Sequence, residues 1–390
     1  MSMPSIKTAL LQLHSIIGLA ISLVLTLIAL TGAIMSFEDE IGAFLNAGMM
    51  RVEPRSAPTL TPDGLIARLR DVQDLGKVSA VTMSSDPSAA VRIRFARNEG
   101  GARPSSVYVD PYDGHLLGTP SDENFFAVVR KLHRWLLLPG DGNGYGRPIN
   151  GAVTIGLIVL LISGMVLRWP RRAGSMKMWL KPNLALSGRG FQRSLHSVVG
   201  TWVLAIYLVM ALTALWYSFE WYKNGAIWLL SNRSVVATPM QPKSPRRTGP
   251  TDAASLVFDP AWSTFLHQQG GRFATAQLTL PSGAGTVMRI RSWPQDAPHD
   301  GARDEFRIDA VTGQQISSEI YTDKPIGERI LSSVLDIHRG SIFGWPGKLV
   351  FMLAAALMPL FMVTGLLLYL SRRKLRRASQ PPLGSLVPGE

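Results

Sequence analysis

Residues 13–18 read LHSIIG and residues 195–200 read LHSVVG, an offset of 182. Each stretch puts a histidine about one turn into a long apolar run, where an unpartnered polar side chain costs free energy. The likeness continues at the same offset, with ALTGAIMSFE at 29–38 against ALTALWYSFE at 211–220. Further along it loosens but keeps its order. VYVDPYDG at 107–114 aligns with FRIDAVTG at 306–313, and RIR at 92–94 with RIR at 289–291. LHR at 132–134 aligns with IHR at 337–339, and SGMVLRWPRR at 163–172 with TGLLLYLSRR at 364–373. The chain reads as a duplication. Each half runs helix, α+β module, His-Arg segment, helix.

The apolar runs lie at 9–36, 149–169, 195–218 and 347–370. Each can cross a bilayer, which takes ~20 apolar residues in a helix. Two polar stretches, 37–148 and 219–346, separate them. The expected fold is a membrane protein with four transmembrane α-helices, built from a duplicated two-helix unit, and two α+β modules outside the bilayer. Whole-chain averages blur this division: 46% of 390 residues are hydrophobic, and the mean hydropathy is +0.15. The first run is longer than the ~7–15 apolar residues of a cleavable signal, and no A-x-A-like site follows it, so it reads as a retained helix.

The net charge of +13 is concentrated. Arg168, Arg171, Arg172, Lys177, Lys181, Arg189 and Arg193 crowd one short loop without an acid, and SRRKLRR follows the last run. Short loops rich in Lys and Arg stay cytoplasmic. The N-terminus, the 170–194 loop and the 371–390 tail are therefore expected in the cytoplasm, and both long loops in the periplasm of a bacterial inner membrane. Topology accounts for the basic balance, and no nucleic-acid partner is implied. There are no cysteines. That removes disulfides, thiolate catalysis, Cys-held iron–sulfur clusters and C-x-x-C-H haem attachment.

Four of the seven histidines form two repeat-related pairs. His14 and His196 sit one turn inside the cytoplasmic ends of the first and third runs. His133 and His338 precede the second and fourth, just outside the membrane. Parallel repeats pack about an axis along the membrane normal, which puts equivalent residues at one depth on opposite sides of it. Two imidazoles placed so are a natural axial pair for haem iron. From His14 to Ser36 is 22 residues, roughly 33 Å of helix, so the pairs would lie near opposite bilayer faces and make an electron wire. The plainer reading of a lone helix-mouth histidine is a snorkelling or capped side chain.

Arg134 and Arg339 follow the outer histidines, and Arg193 precedes His196 by three residues. They can hold haem propionates or simply anchor at the membrane surface. Glu38 and Glu220 read as boundary charges, with a proton relay as the alternative. His115, His267 and His299 lack repeat partners and read as surface residues. His115, in DPYDGHLLG, sits at a hairpin tip where it can touch substrate. Zinc is disfavoured because no H-E-x-x-H or short-spaced ligand cluster occurs. GDGNGYG at 140–146 follows no strand and reads as a flexible connection rather than a nucleotide loop.

The LHS-hydrophobic-G opening, the A-L-T-x-x-x-x-SFE helix end, the D-x-x-x-G hairpins and the His-Arg before the next helix together resemble PepSY-associated transmembrane proteins. The likeness runs nearly the whole chain and extends to membrane siderophore reductases of the FoxB type. The resemblance implies a four-helix membrane core with two periplasmic PepSY-like modules. It implies two b-type haems held by His14, His196, His133 and His338, and one-electron reduction of a ferric siderophore that releases Fe(II). No cytoplasmic segment is large enough for a flavin or nicotinamide domain, and no GxGxxG follows a strand. The electron donor would then be a cytoplasmic reductase or a membrane quinol. Two other readings compete. PepSY-like modules occur in protease propeptides, which suggests a peptidase regulator or envelope sensor without redox activity. A siderophore or haem transporter is the third, against which stands the lack of an acid in mid-membrane.

Overall fold

A computed structural model describes residues 6–72, 75–96, 105–169, 174–231, 257–281 and 285–378. Arg171 and Arg172 of the basic loop lie outside the described residues. The chain starts with α1 (Ile6–Met35), α2 (Glu38–Leu45), α3 (Ala47–Met50) and α4 (Pro62–Val72). Strands β1 (Val78–Ser84), β2 (Val91–Phe95), β3 (Ser106–Val109) and β4 (Leu116–Gly118) lead into α5 (Glu123–Trp135) and α6 (Gly146–Arg168). Then come α7 (Met176–Leu180), α8 (Gly188–Ser218), α9 (Glu220–Ser231) and α10 (Asp259–Gln269). Strands β5 (Phe273–Thr279), β6 (Val287–Pro294), β7 (Asp304–Asp309) and β8 (Gln315–Glu319) precede α11 (Ile326–Ser332), α12 (Val334–Arg339), α13 (Gly344–Ala356) and α14 (Met358–Ala378).

These elements form two compact units. In the helical unit, α1 packs on α6, α13 and α14, and α8 packs on α6 and α14. Its core is Leu25, Ala29, Val153, Val203, Tyr207, Ala354 and Met358. Four stretches are long and apolar enough to cross a membrane: Ile6–Met35, Gly146–Arg168, Gly188–Ser218 and Ser341–Leu375. Leu23 and Ile162 are 71% and 61% exposed on such helices, as suits apolar surface that meets lipid rather than water. The last stretch is two helices, broken at Leu357. Pro359 lies two residues on, and proline lacks the N–H that would continue the ladder. The SFE segments end α1 and α8, and Glu38 and Glu220 stand in the first turns of α2 and α9. There an acid complements the helix dipole.

The sheet unit holds one antiparallel sheet in the order β4-β3-β2-β1-β5-β6-β7-β8. Strand alternation sends Val81, Ile93, Leu278, Ile290 and Ile308 to one face, where Leu65 and Leu69 of α4 and Trp262 and Phe265 of α10 cover them. The two helices cap each other. Asp63 Oδ2 accepts the Phe258 and Asp259 N–H groups at 2.7 and 2.9 Å, and Asp259 Oδ1 accepts the Asp63 N–H at 3.1 Å. The two D-x-x-x-G stretches form matching turns. Asp110 Oδ1 accepts the Tyr112 N–H, and Asp309 Oδ1 accepts those of Val311 and Thr312. Gly114 (φ +76°) and Gly313 (φ +68°) close them in the left-handed region.

One expectation needs correction. His299 is no surface residue: its side chain is 5% exposed, with Nδ1 3.6 Å from Asp336 Oδ2 and Nε2 3.3 Å from the Tyr321 hydroxyl. The β6–β7 loop that carries it is polar in sequence, and the ring is covered by contacts with Tyr321 and Asp336. GDGNGYG forms a defined turn with a 3-10 segment at Asp141–Asn143. A Cβ on Gly144 would collide with the Pro139 carbonyl, and one on Gly146 with that of Trp135. Its glycines serve close backbone approach.

Candidate functional site

All four paired histidines fall in the helical unit, carried by α1, α5, α8 and α12. The structure brings them together two by two. The rings of His14 and His196 have centroids 6.4 Å apart and planes at 76°. Those of His133 and His338 lie 6.3 Å apart at 66°. The sequence expects the second pair just before the second and fourth apolar runs, and both rings dock against the apolar helices. His133 reaches Ile28, about two turns before α1 ends, and His338 reaches Met210 in α8. They can do so because the chain reverses right after each. Leu136 and Leu137 have φ near +57° and +56° after α5, and Gly340 has φ +74° after α12.

The hydrogen bonds fix which ring nitrogen carries the proton. His133 Nδ1 lies 2.9 Å from the Ile28 carbonyl and 3.2 Å from Thr31 Oγ1. His338 Nδ1 lies 3.1 Å from the Met210 carbonyl and 2.8 Å from Thr213 Oγ1. A carbonyl only accepts, so both Nδ1 atoms are N–H donors. His14 Nδ1 is 2.8 Å from Ser163 Oγ, which itself donates to the Leu160 carbonyl. His196 Nδ1 is 2.7 Å from Thr364 Oγ1, which donates to the Leu360 carbonyl. With the hydroxyl protons committed, these Nδ1 atoms are donors as well. All four neutral rings therefore keep the lone pair on Nε2, as a metal-binding imidazole with an anchored Nδ1–H does. Ile28 and Met210, like Thr31 and Thr213, stand 182 residues apart.

The spacing suits one metal between each pair. A five-membered ring with sides of about 1.35 Å has its vertices about 1.15 Å from its centre. If both Nε2 atoms faced one metal, a metal–imidazole bond of about 2.0–2.1 Å on each side would put the centroids about 6.3–6.5 Å apart, against the 6.4 and 6.3 Å found. Small residues let the rings sit there. A Cβ on Gly32 would lie 3.1 Å from His133 Cε1, and one on Gly164 3.3 Å from His14 Cε1. Among the described residues no group of three or more His, Asp or Glu side chains comes together, whereas zinc takes three or four protein ligands.

The comparison with protein families matches residues 11–372 to the PepSY-associated TM region. The chain belongs to this family. Compared with curated proteins, it finds no match. Family membership, with four helices of spanning length, makes it a multi-pass membrane protein.

Around the His133/His338 pair, the Arg134 guanidinium stacks 4.9 Å over Trp135, and Arg339 Nη2 donates to the Met35 carbonyl at 3.4 Å. Arg130, one turn before Arg134, is held below the usual arginine range by burial and then by Arg134 itself. Arg193 is exposed. His115 lies in the sheet unit after β3, where its N–H donates to Asp113 Oδ1.

Sequence reasoning passed over several participants. Arg372 donates to Ser15 Oγ, the residue after His14, at 2.7 Å; in sequence it is one of a run of topology-setting cations. Asn150 on α6 donates to the His133 and Arg134 carbonyls at 2.8 and 3.3 Å and ties down the end of α5. The four hydroxyls at 31, 163, 213 and 364 were visible only as part of the repeat. Their matching positions were the signal that could have found them.

Proposed function

We propose that this PepSY-associated protein holds two b-type haems, one between His14 and His196 and one between His133 and His338, and carries electrons across a bacterial inner membrane to reduce ferric siderophores in the periplasm. The observation that carries the reading is the pair of imidazole separations, 6.4 and 6.3 Å, with each Nδ1–H anchored to an oxygen. Haem iron would supply reversible one-electron transfer, the chemistry that loosens Fe(III) from its chelator.

The chain's own residues do the rest. Ser163, Thr364, Thr31 and Thr213 hold the imidazoles in the Nδ1–H tautomer and fix their rotation. Arg134, Arg339 and Arg130 offer cations to the propionates of the outer group, and Arg372 and Arg193 to those of the inner one. Apolar neighbours such as Phe361, whose ring centroid is 5.3 Å from that of His196, keep water off the inner pair. On this reading the repeat is an ancestral duplication that supplies one ligand of each pair from each half. The cytoplasmic placement of the Lys- and Arg-rich segments follows the positive-inside bias.

Reconstitution tests the activity. Full-length protein in liposomes loaded with a reductant should turn an external ferric siderophore into Fe(II), read with a ferrous chelator. Leakproof liposomes that reduce no more than empty ones would overturn the reductase reading.

A further inference from the structure

The sheet has a second face, opposite the helices, and it is basic. Strand register puts Arg92 opposite Thr82 and Arg94 opposite Ala80. Across the centre, Thr82 pairs with Gln277 and Ala80 with Thr279. These in turn face Arg291 and Arg289, and beyond them lie Glu305 and Arg307. Two Arg-x-Arg strands thus flank two central strands with uncharged side chains. The RIR stretches that the sequence comparison paired provide both of them.

Carboxylates answer only part of this charge. Glu123 pairs with Arg92, and Glu305 lies 3.7 Å from Arg291 and 3.5 Å from Arg307. At the outer end Glu319 pairs with Lys324. Among the described residues no acid pairs with Arg94 or Arg289. Arg289 stands directly opposite Arg307, and like charges so placed destabilise a sheet. The Nε atom of Arg289 is buried without a hydrogen-bond partner, and that of Arg291 has only the ion pair with Glu305, although a buried donor is normally satisfied. Burial, and then Arg289 and Arg303, work against the charged form of Arg291 and outweigh Glu305; burial and then Arg92 do the same to Arg94 and outweigh Glu123.

We infer that this face binds a small anion carrying two or more carboxylates, gripped from both sides by Arg94 and Arg289. Guanidinium forks match carboxylates bidentately. The two arginines start three strand spacings apart, about 14 Å. The residues between them, Ala80 and Thr279, are short and leave room for both guanidinium groups to lean inward, so a ligand with carboxylates at both ends fits better than a single compact ion. Metal-free polycarboxylates and their iron chelates share this chemistry. The inference is independent of the haem reading, because binding alone reports on it.

Calorimetric titration of the full-length protein in detergent with citrate, at low salt, tests it. Saturable binding that weakens as salt is raised is expected. R94Q/R289Q should lower the affinity about tenfold or more, and R94K/R289K, which keeps the charge but not the fork, should lower it less. R272Q, remote in role and bonded to the end of α10, should bind as wild type. Inorganic phosphate is the second probe. Wild-type protein that binds no citrate would overturn the proposal, whatever the variants do. So would a folded R94K/R289K protein with undiminished affinity, or phosphate binding as tight as citrate.

Discussion

Replacing Thr364 by valine removes one oxygen and keeps the shape. Thr364 is 6% exposed, and its hydroxyl accepts from His196 Nδ1 at 2.7 Å while donating to the Leu360 carbonyl. In T364V the His196 N–H faces a methyl group. A buried donor left without a partner costs about 1–3 kcal/mol. Loss of such an anchor behind a metal-bound histidine weakens metal binding about 10–100-fold, or about 1.4–2.7 kcal/mol, so the two routes agree. The assay is haem release from the detergent-solubilised protein to excess apomyoglobin. One haem should leave about 10–100 times faster while the other keeps its wild-type rate. T201V is the control, since Thr201 bonds only its own helix at Ser197. Wild-type release of both haems from T364V, or an equal effect in T201V, would refute the anchoring argument.

Gly32→Leu should evict the outer group alone, because even a Cβ there stands 3.1 Å from His133 Cε1; haem content should fall from two per chain to one, with the inner signal intact. Glu123 should make the sheet unit acid-sensitive. Burial raises its pKa, but hydrogen bonds from Ser105, Ser106 and Arg92 outweigh that and leave it depressed. A depressed carboxylate stabilises above its unfolded value of about 4.3, and that stability drains as pH falls below it. Urea unfolding followed by tryptophan fluorescence should therefore show a steeper loss below that pH in wild type than in E123Q. Phe265→Ala empties a fully buried site ringed by Trp262, Phe273 and Phe306, and should cost about 3–5 kcal/mol in the same unfolding signal.

The helices were legible because membrane spanning has a length requirement that apolar runs meet openly. The histidine pairs were legible because LHS and HR recur in register, so two weak local signals became one strong one. Other features depend on contacts between distant segments. His133 lies more than a hundred residues from Ile28, and nothing local tells that its helix folds back beside α1. The burial of His299 rests on Tyr321 and Asp336, from a 3-10 turn and a helix further along. Pairing of β1 with β5 joins the strands of the two modules into one eight-stranded sheet, a pairing that the sequence reading did not address. Edge strands that can pair give no sequence mark of which partner they choose.

The central claim is that each histidine pair holds one haem. The most direct test is the haem count of purified full-length protein by pyridine haemochrome, with oxidised and reduced absorption spectra. The account predicts two b-type haems per chain with sharp low-spin bands, one lost in H196L and the other in H338L. Protein made with ample haem that carries none, or that keeps both in these variants, would contradict it.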